Sequence, residues 1–391
     1  ALDFIRPRLN GEDGLGGIYP AIANAAMAFD ALAQRDTPEF ATTLRALRKL
    51  VLWDGEKAYV QPCLSPVWDT SLAVHAVLES EGPQDSAAGA CRWLIGRQIT
   101  DLVGDYAEQA PDLAPGGWAF QYENPHYPDV DDTAVGGMAL DRLGGAEARA
   151  SVDKAARWVV GMQSADGGGG AVDIDNDKRY LNSIPFADHG ALLDPSTADV
   201  SARCVGFLCQ IGYAREDDCV ARGLDYLYAE QEADGSWFGR WGTNYIYGTW
   251  SVLCALNAAG DAPDAPHMRK AVDFLLSRQN ADGGWGEDGA TYDPRHRDLC
   301  KASTPSQTAW ALLGLMAAGE VDNPAVKCGV DYLISAQRDG DRWDEDHYTA
   351  VGFPRVFYLR YHGYSSYFPI WALSRYRNLS RSNAKRPLWG I

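Results

Sequence analysis

The chain has 391 residues, with 35 Lys and Arg against 53 Asp and Glu, a formal net charge of −18. That balance argues against nucleic acid as a partner, because a phosphate backbone selects basic surfaces. A hydrophobic share of 46% excludes disorder, and the longest apolar run, 308–319, is too short to span a bilayer.

In chain order, residues 1–63 contain two helical stretches, PAIANAAMAFDALA and FATTLRALRKLVLW. They read as the tail of a second helical unit. From residue 64 onward the pattern becomes repetitive. Five helical hairpins are predicted at 66–98, 133–163, 199–231, 247–279 and 304–337, followed by a lone helix at 366–379. The first helix of each pair is rich in small apolar residues (SPVWDTSLAVHAVL, STPSQTAWALLGL), and the second is amphipathic (HMRKAVDFLLSRQ). Alternating buried and half-buried helices predict an all-α chain: an α/α barrel, or toroid, with the small-residue helices inside. A six-pair barrel lacks one helix at this count. The expected division is 1–63 as a remnant of a second α/α barrel and 64–391 as the main barrel without its N-terminal helix.

The hairpins end in a recurring Gln-x3-Gly-x-Trp element: Gln231-Gly235-Trp237 and Gln279-Gly283-Trp285. Gln337…Trp343 keeps the Gln-to-Trp spacing with its glycine shifted. Gln163-Gly167-Gly169 has lost the tryptophan. The glycine turns the chain at the helix end. The expectation is that the Gln amide bonds a neighbouring helix end while the indole stacks on it.

Asp129-Val130-Asp131-Asp132 opens the apolar stretch that follows residue 128. Three carboxylates this close cannot all ionise cheaply. One of them is a candidate acid that stays protonated near neutral pH, as a reaction begun by proton donation requires. The competing reading is N-capping and pairing with the helix dipole. Around the cluster the chain carries 13 Trp, 19 Tyr and 11 Phe, whose faces can stabilise cations or simply pack.

The eight cysteines are scattered without a CxxC pair and read as reduced core thiols of a cytosolic compartment. Asp173–Asp177 resembles the start of a calcium loop, but Lys178 and Ile184 stand where Gly and Glu are required. Asp298 and Cys300 with His347 or His362 make only a loose zinc-like set. His75 and His189 read as packed or surface residues.

DVDDTAV, the Gln/Trp repeats, SPVWDTSLAV, PGGWAFQYEN, DGSWFGRWGTNYIYGT, GGWGED, STPSQTAWALLGL and GFPRVFYLRYHGY together resemble the C-terminal half to two-thirds of a bacterial squalene–hopene cyclase. The resemblance runs nearly end to end. It implies two α/α barrels, no metal or organic cofactor, squalene as an apolar polyprene substrate, and a monotopic enzyme on the cytoplasmic face of a membrane. A second copy of the chain as a homodimer partner is a further expectation. The implied reaction is proton-initiated polycyclisation to hopene or a hopanol. Asp131 is the implied proton donor, flanked by Asp129 and Asp132. Familiar members have a His where this chain has Arg203, in Asp199-VSA-Arg203. Arg203 either stabilises the new carboxylate or forms a surface i,i+4 pair with Asp199. Trp68, Phe120, Trp241, Tyr247, Phe353, Phe357 and Tyr361 are the implied carbocation-stabilising lining. Trp237, Trp285 and Trp343 are assigned to structure. Val172 stands where the family has a cavity-side Tyr. Rival readings are a related class II cyclase for another polyprenoid, and an inactive truncated piece.

Overall fold

The structure is a computed structural model that describes residues 1–184 and 192–391. His189 lies outside the described residues. A short helix α1 (Leu2–Ile5) precedes α2 (Tyr19–Ala31) and α3 (Pro38–Lys49). The hairpins follow as α4 (Pro66–Glu79) with α5 (Gln84–Arg97), α6 (Val130–Leu143) with α7 (Ala146–Gly161), and α8 (Ala198–Gln210) with α9 (Asp218–Ala229). Next come α10 (Tyr245–Ala258) with α11 (Pro266–Ser277), α12 (Pro305–Ala317) with α13 (Pro324–Ser335), and the closing helix α14 (Tyr364–Ser380). Proline at the first helical position starts α4, α11, α12 and α13, where its missing N–H costs nothing. Glycines at positive φ end the small-residue helices: Gly144, Gly212, Gly260 and Gly319.

Among the described residues, α4, α6, α8, α10, α12 and α14 each pack on the next, and α14 packs back on α4. Their partners α5, α7, α9, α11 and α13 lie outside this ring, each against its own hairpin mate. Burial follows the composition. Every residue of α12 is buried, whereas α13 buries only Val326, Gly329, Val330 and Leu333.

The structure departs from an all-helical reading at two places. Val51–Asp54 pairs antiparallel with Lys57–Val60, and Ala350–Phe353 with Phe357–Leu359. The stretch FATTLRALRKLVLW is therefore helix only to Lys49. Its last residues are β-prone and run into Gly55-Glu56, a two-residue hairpin turn with Gly55 at φ 62°.

The repeats do two separate jobs. The amides of Gln163, Gln231 and Gln279 each donate to the carbonyl of their own turn and to one in the N-terminal half of the next outer helix. Gln231 reaches Gly235 O and His267 O, both at 2.9 Å, and Gln279 reaches Gly283 O and Ala325 O, both at 2.8 Å. The indole makes a separate hydrogen bond. It donates Nε1–H to a carbonyl near the end of the preceding outer helix: Trp237 to Leu227 O, Trp285 to Leu275 O and Trp343 to Leu333 O, all at 2.7 Å. The group it caps is one of the last carbonyls of a helix, which lacks a partner within the helix.

A further repeat escaped the sequence pattern. Gln98 donates to Gly116 O and Ser151 O, and Trp118 Nε1 to Leu94 O, in the same geometry. The insertion 99–115 separates the two halves and hides the spacing. Trp285→Ala removes a fully buried ring and its hydrogen bond, so it should cost about 3–5 kcal/mol. Denaturant unfolding of parent and variant measures this directly; equal midpoints would refute a structural role for the indole.

Candidate active site

The first turns of α4, α6, α10 and α14 converge on one cavity of about 520 Å³. Asp129, Asp131 and Asp132 line it, as do Trp68, Phe120, Trp241, Tyr247, Phe353 and Tyr361. Six of the seven aromatic residues named from sequence therefore meet at one place. Phe357 pairs with Phe353 through the backbone, but its side chain lies outside the described residues. Val172 lines the same cavity. Residues 1–63 contribute Phe4, Leu15, Gly16, Ile18, Pro20, Ala21, Pro62 and Cys63 to the wall.

The three aspartates have three different jobs. Asp129 is the N-cap of α6, its Oδ1 accepting from Asp131 N at 2.8 Å and Asp132 N at 3.0 Å. The capping interpretation therefore describes Asp129. The start of α6 is clamped between two repeat turns: Asp129 N donates to Trp118 O and Val130 N to Ala171 O, both at 2.7 Å. Thr133 Oγ1 accepts from Trp118 N at 2.9 Å.

Asp131 is chelated by Arg203. The guanidinium Nε donates to Oδ1, and Nη2 donates to Oδ2 at 2.7 Å. Arg203 is only 1% exposed. Its remaining donors go to Ser251 Oγ through Nη1 at 2.5 Å and to Tyr247 OH through Nη2 at 2.8 Å. The rings of Trp68 and Tyr247 stand 5.3 and 5.0 Å from its charge centre. The surface pair with Asp199 does not form. Asp199 Oδ2 instead accepts from Arg240 N and Trp241 N, both at 2.9 Å, and so fixes the loop that carries Trp241. The sequence suggested an Asp199–Arg203 pair because the two are one helical turn apart. Burial of both decides against it, since the cation needs the carboxylate that faces it across the ring.

Asp132 is buried, and its Oδ1 has no hydrogen-bond partner among the described residues. Burial, then the charges of Asp129 and Asp131, push its pKa well above the ordinary carboxylate range. Burial and then Asp131 push Asp129 up to about 8. Burial also raises Asp131, while the charge and hydrogen bonds of Arg203 pull it back. Only Asp131 of the three is paired with a buried guanidinium, and burial raises all of them. The cluster therefore retains protons at a pH where free aspartates would have lost them.

Several of these rings also make contacts within the wall. Trp68 and Tyr247 surround Arg203, and Trp68 Nε1 donates to Tyr364 OH at 2.9 Å. Arg240 lies over Trp241 at 4.1 Å. Tyr361 stacks obliquely with Phe120 at 6.1 Å and Tyr364 at 4.9 Å. Sequence reasoning missed Tyr364, Ser251 and Arg240. A signal existed for Tyr364: it occupies the first position of an inner helix, as Asp131 and Trp68 occupy the first turns of theirs.

The carboxylates of the calcium-like and zinc-like motifs make hydrogen bonds within the chain. Asp175 accepts from Ala165 N, and Asp173 accepts from Asn176 Nδ2. Asp298 is held by Arg278 at 2.5 Å. His75 is fully buried and stacks on Trp371. All eight cysteines are free thiols, with Cys300 and Cys328 exposed rather than in the core.

Comparison with known proteins gives a consistent result. The family model for the squalene-hopene cyclase C-terminal domain matches residues 64–378, and that for the N-terminal domain matches residues 1–56. The chain is 56% identical to a probable squalene–hopene cyclase of Sinorhizobium fredii over 98% of its own length and 61% of that protein. It is 44% identical to the squalene–hopene cyclase of Alicyclobacillus acidocaldarius over 96% of this chain and 60% of that one. The chain thus spans about three-fifths of the length of these relatives. Among solved structures, the type II terpene cyclase MstE from Scytonema superposes with a TM-score of 0.56 at 17% identity, covering 92% of this chain and 97% of that one. That likeness concerns the fold. With family models covering most of the chain and over half of its residues identical to a relative's, the chain belongs to the squalene–hopene cyclase family.

Proposed function

We propose that the chain carries the acid half of a polyprene cyclase that protonates a terminal alkene of squalene and steers the resulting cation to hopene or a hopanol. The observation that carries this reading is the chelation of Asp131 by buried Arg203 at the wall of an aromatic cavity. An isolated alkene is a poor base, and an ordinary aspartic acid, with a pKa of about 3.9, is a weak donor to it. What strengthens the donor is stabilisation of the carboxylate it becomes. Arg203 supplies this through two parallel hydrogen bonds and a full charge. The N-terminus of α6 adds a favourable dipole end. Asp132, kept protonated by its neighbours, limits the negative charge that opposes ionisation of Asp131.

Once the proton has moved, a tertiary cation forms in a cavity whose wall includes Phe120, Trp241, Phe353 and Tyr361. Each desolvated ring contact is worth roughly 0.5–2 kcal/mol, so several together outweigh any one. A ring face stabilises the cation without forming a bond to it, so the charge can move on along the chain. The reaction closes when a base takes a proton to leave an alkene, or when water adds and loses one. The proton balance is then zero, and no cofactor enters the scheme.

The ring of inner helices supports reading 64–391 as an α/α barrel, with 1–63 belonging to a second helical unit that covers one side of the cavity. The apolar substrate and the family point to a membrane surface as its source, although no described helix is long and apolar enough to cross a bilayer. Incubating the full-length protein with squalene and identifying products by gas chromatography tests the reading. Pentacyclic products are expected. Unchanged squalene, with turnover of a different polyprene, would support a related cyclase instead.

A further inference from the structure

Trp241 lacks the polar tie that fixes Trp68 and the repeat tryptophans. Trp68 Nε1 donates to Tyr364 OH at 2.9 Å, and the repeat indoles donate to helix carbonyls. Trp241 Nε1 is buried and has no hydrogen-bond partner among the described residues. Trp250 and Trp310 lack one as well, but both are fully buried and stacked on each other. Trp241 is only partly buried and faces the cavity. Against its ring stands the guanidinium of Arg240, 4.1 Å from the ring centroid. A planar cation over a ring face is attracted by the negative face of the π-system. Its several donors let it hold a carbonyl at the same time.

Arg240 is anchored on the far side by that second contact. Nη1 donates to Gly352 O at 3.1 Å. Gly352 and Phe353 belong to the strand Ala350–Phe353, and both line the cavity. The backbone beside Trp241 pairs with the same segment: Val351 N donates to Trp241 O at 3.2 Å, and Thr243 N to Thr349 O at 2.8 Å. Backbone pairing fixes where the two segments run, but it leaves the tilt of the indole to whatever packs on the ring. Arg240 joins the ring to the strand that carries Phe353. Its charge is not spent on an ion pair. Asp194 and Asp199 act on it through their fields, since their oxygens accept the backbone N–H groups of Ala171, Val172 and Asp173 and of Val200, Arg240 and Trp241.

Tilt matters because an aromatic ring is negative on its face and positive at its edge. A tilted indole would present its edge to a migrating cation. We infer that Arg240 is a positioning residue of the cavity: it fixes the plane of Trp241 relative to Phe353 and so governs how far the cation travels before it is quenched, a role that rests on the polyprene-cyclase reading of the site.

The test uses the full-length protein labelled with fluorotryptophan. The Trp241 fluorine line is assigned by its loss in Trp241→Phe. It should be single in the parent and should split or broaden in Arg240→Met, which has neither the planar head nor the donors. Arg240→Lys keeps the charge without the plane and should behave as Arg240→Met does. Arg240→Gln is the second variant should Arg240→Met fail to fold. With squalene, the folded variant should raise the ratio of incompletely cyclised to pentacyclic products by about fivefold or more. A general loss of stability would lower all products together and leave that ratio alone. An unchanged fluorine line shape in the variant refutes the positioning role whatever the activity. A changed line with the parent's product ratio refutes its bearing on cyclisation. If the line responds while the parent converts no squalene, the positioning of the ring holds and the cyclase reading is what falls.

Discussion

Asp131→Asn is expected to lower squalene turnover by at least 10²–10⁴-fold, the range that general-acid catalysis usually supplies. The substitution keeps the shape and removes the proton. It also has a structural cost that must be separated from the catalytic one. An amide there sets an N–H against the buried guanidinium and can never carry the counter-charge, and disrupting one side of such a pair costs about 3–5 kcal/mol. A dead and unstable variant proves little about catalysis. Asp131→Asn combined with Arg203→Met removes the stranded charge as well, so stability should recover toward the parent while turnover stays absent. Urea midpoints and product yields of the two variants make the comparison. Recovery of hopene in the double variant would remove Asp131 from the role of donor.

The repeat grammar made most of the fold legible. Glycine turns after amphipathic helices, and small apolar residues on the alternate helices, are local consequences of what each helix must bury. The β-hairpin at 51–60 was less visible because its first strand continues a helical periodicity up to Lys49. The Gln98–Trp118 repeat was invisible because its two halves are far apart in sequence and meet only in space.

The site was legible in its residue types but not in its pairings. Nothing in Asp199-VSA-Arg203 says that the cation turns away from the carboxylate one turn back and crosses to Asp131. That choice is made by the ring, which sets α8 against α6 and buries both groups. The same burial changes what the aromatics do. Trp68 and Tyr247 were expected to serve the substrate cation, yet they already face a permanent one. Their loss should disturb Arg203 first and the polyprene second.

Arg203→Met should cost about 10²–10³-fold in turnover, the usual penalty for removing a preorganised group that stabilises developing negative charge. Without the guanidinium, burial holds Asp131 as a protonated but reluctant acid, because its carboxylate has lost two hydrogen bonds and a counter-charge. Arg203→Lys should recover little. A single ammonium cannot span both carboxylate oxygens while also reaching Ser251 and Tyr247. Arg203→His gives the decisive comparison. Arginine is cationic across the whole working range, so the parent gains or loses nothing from this group between pH 5 and 8. Histidine titrates near pH 6.5, and the carboxylates beside it favour its charged form while burial opposes that form. If the charge is what strengthens the acid, turnover of the histidine variant is present below its pKa and falls as the pH rises through it. If Arg203 only fills space, parent and histidine variant have parallel pH–rate profiles. Measuring kcat from pH 5 to 8 for both proteins separates the two, and a parallel pair of profiles would show that charge at position 203 does not drive the protonation step.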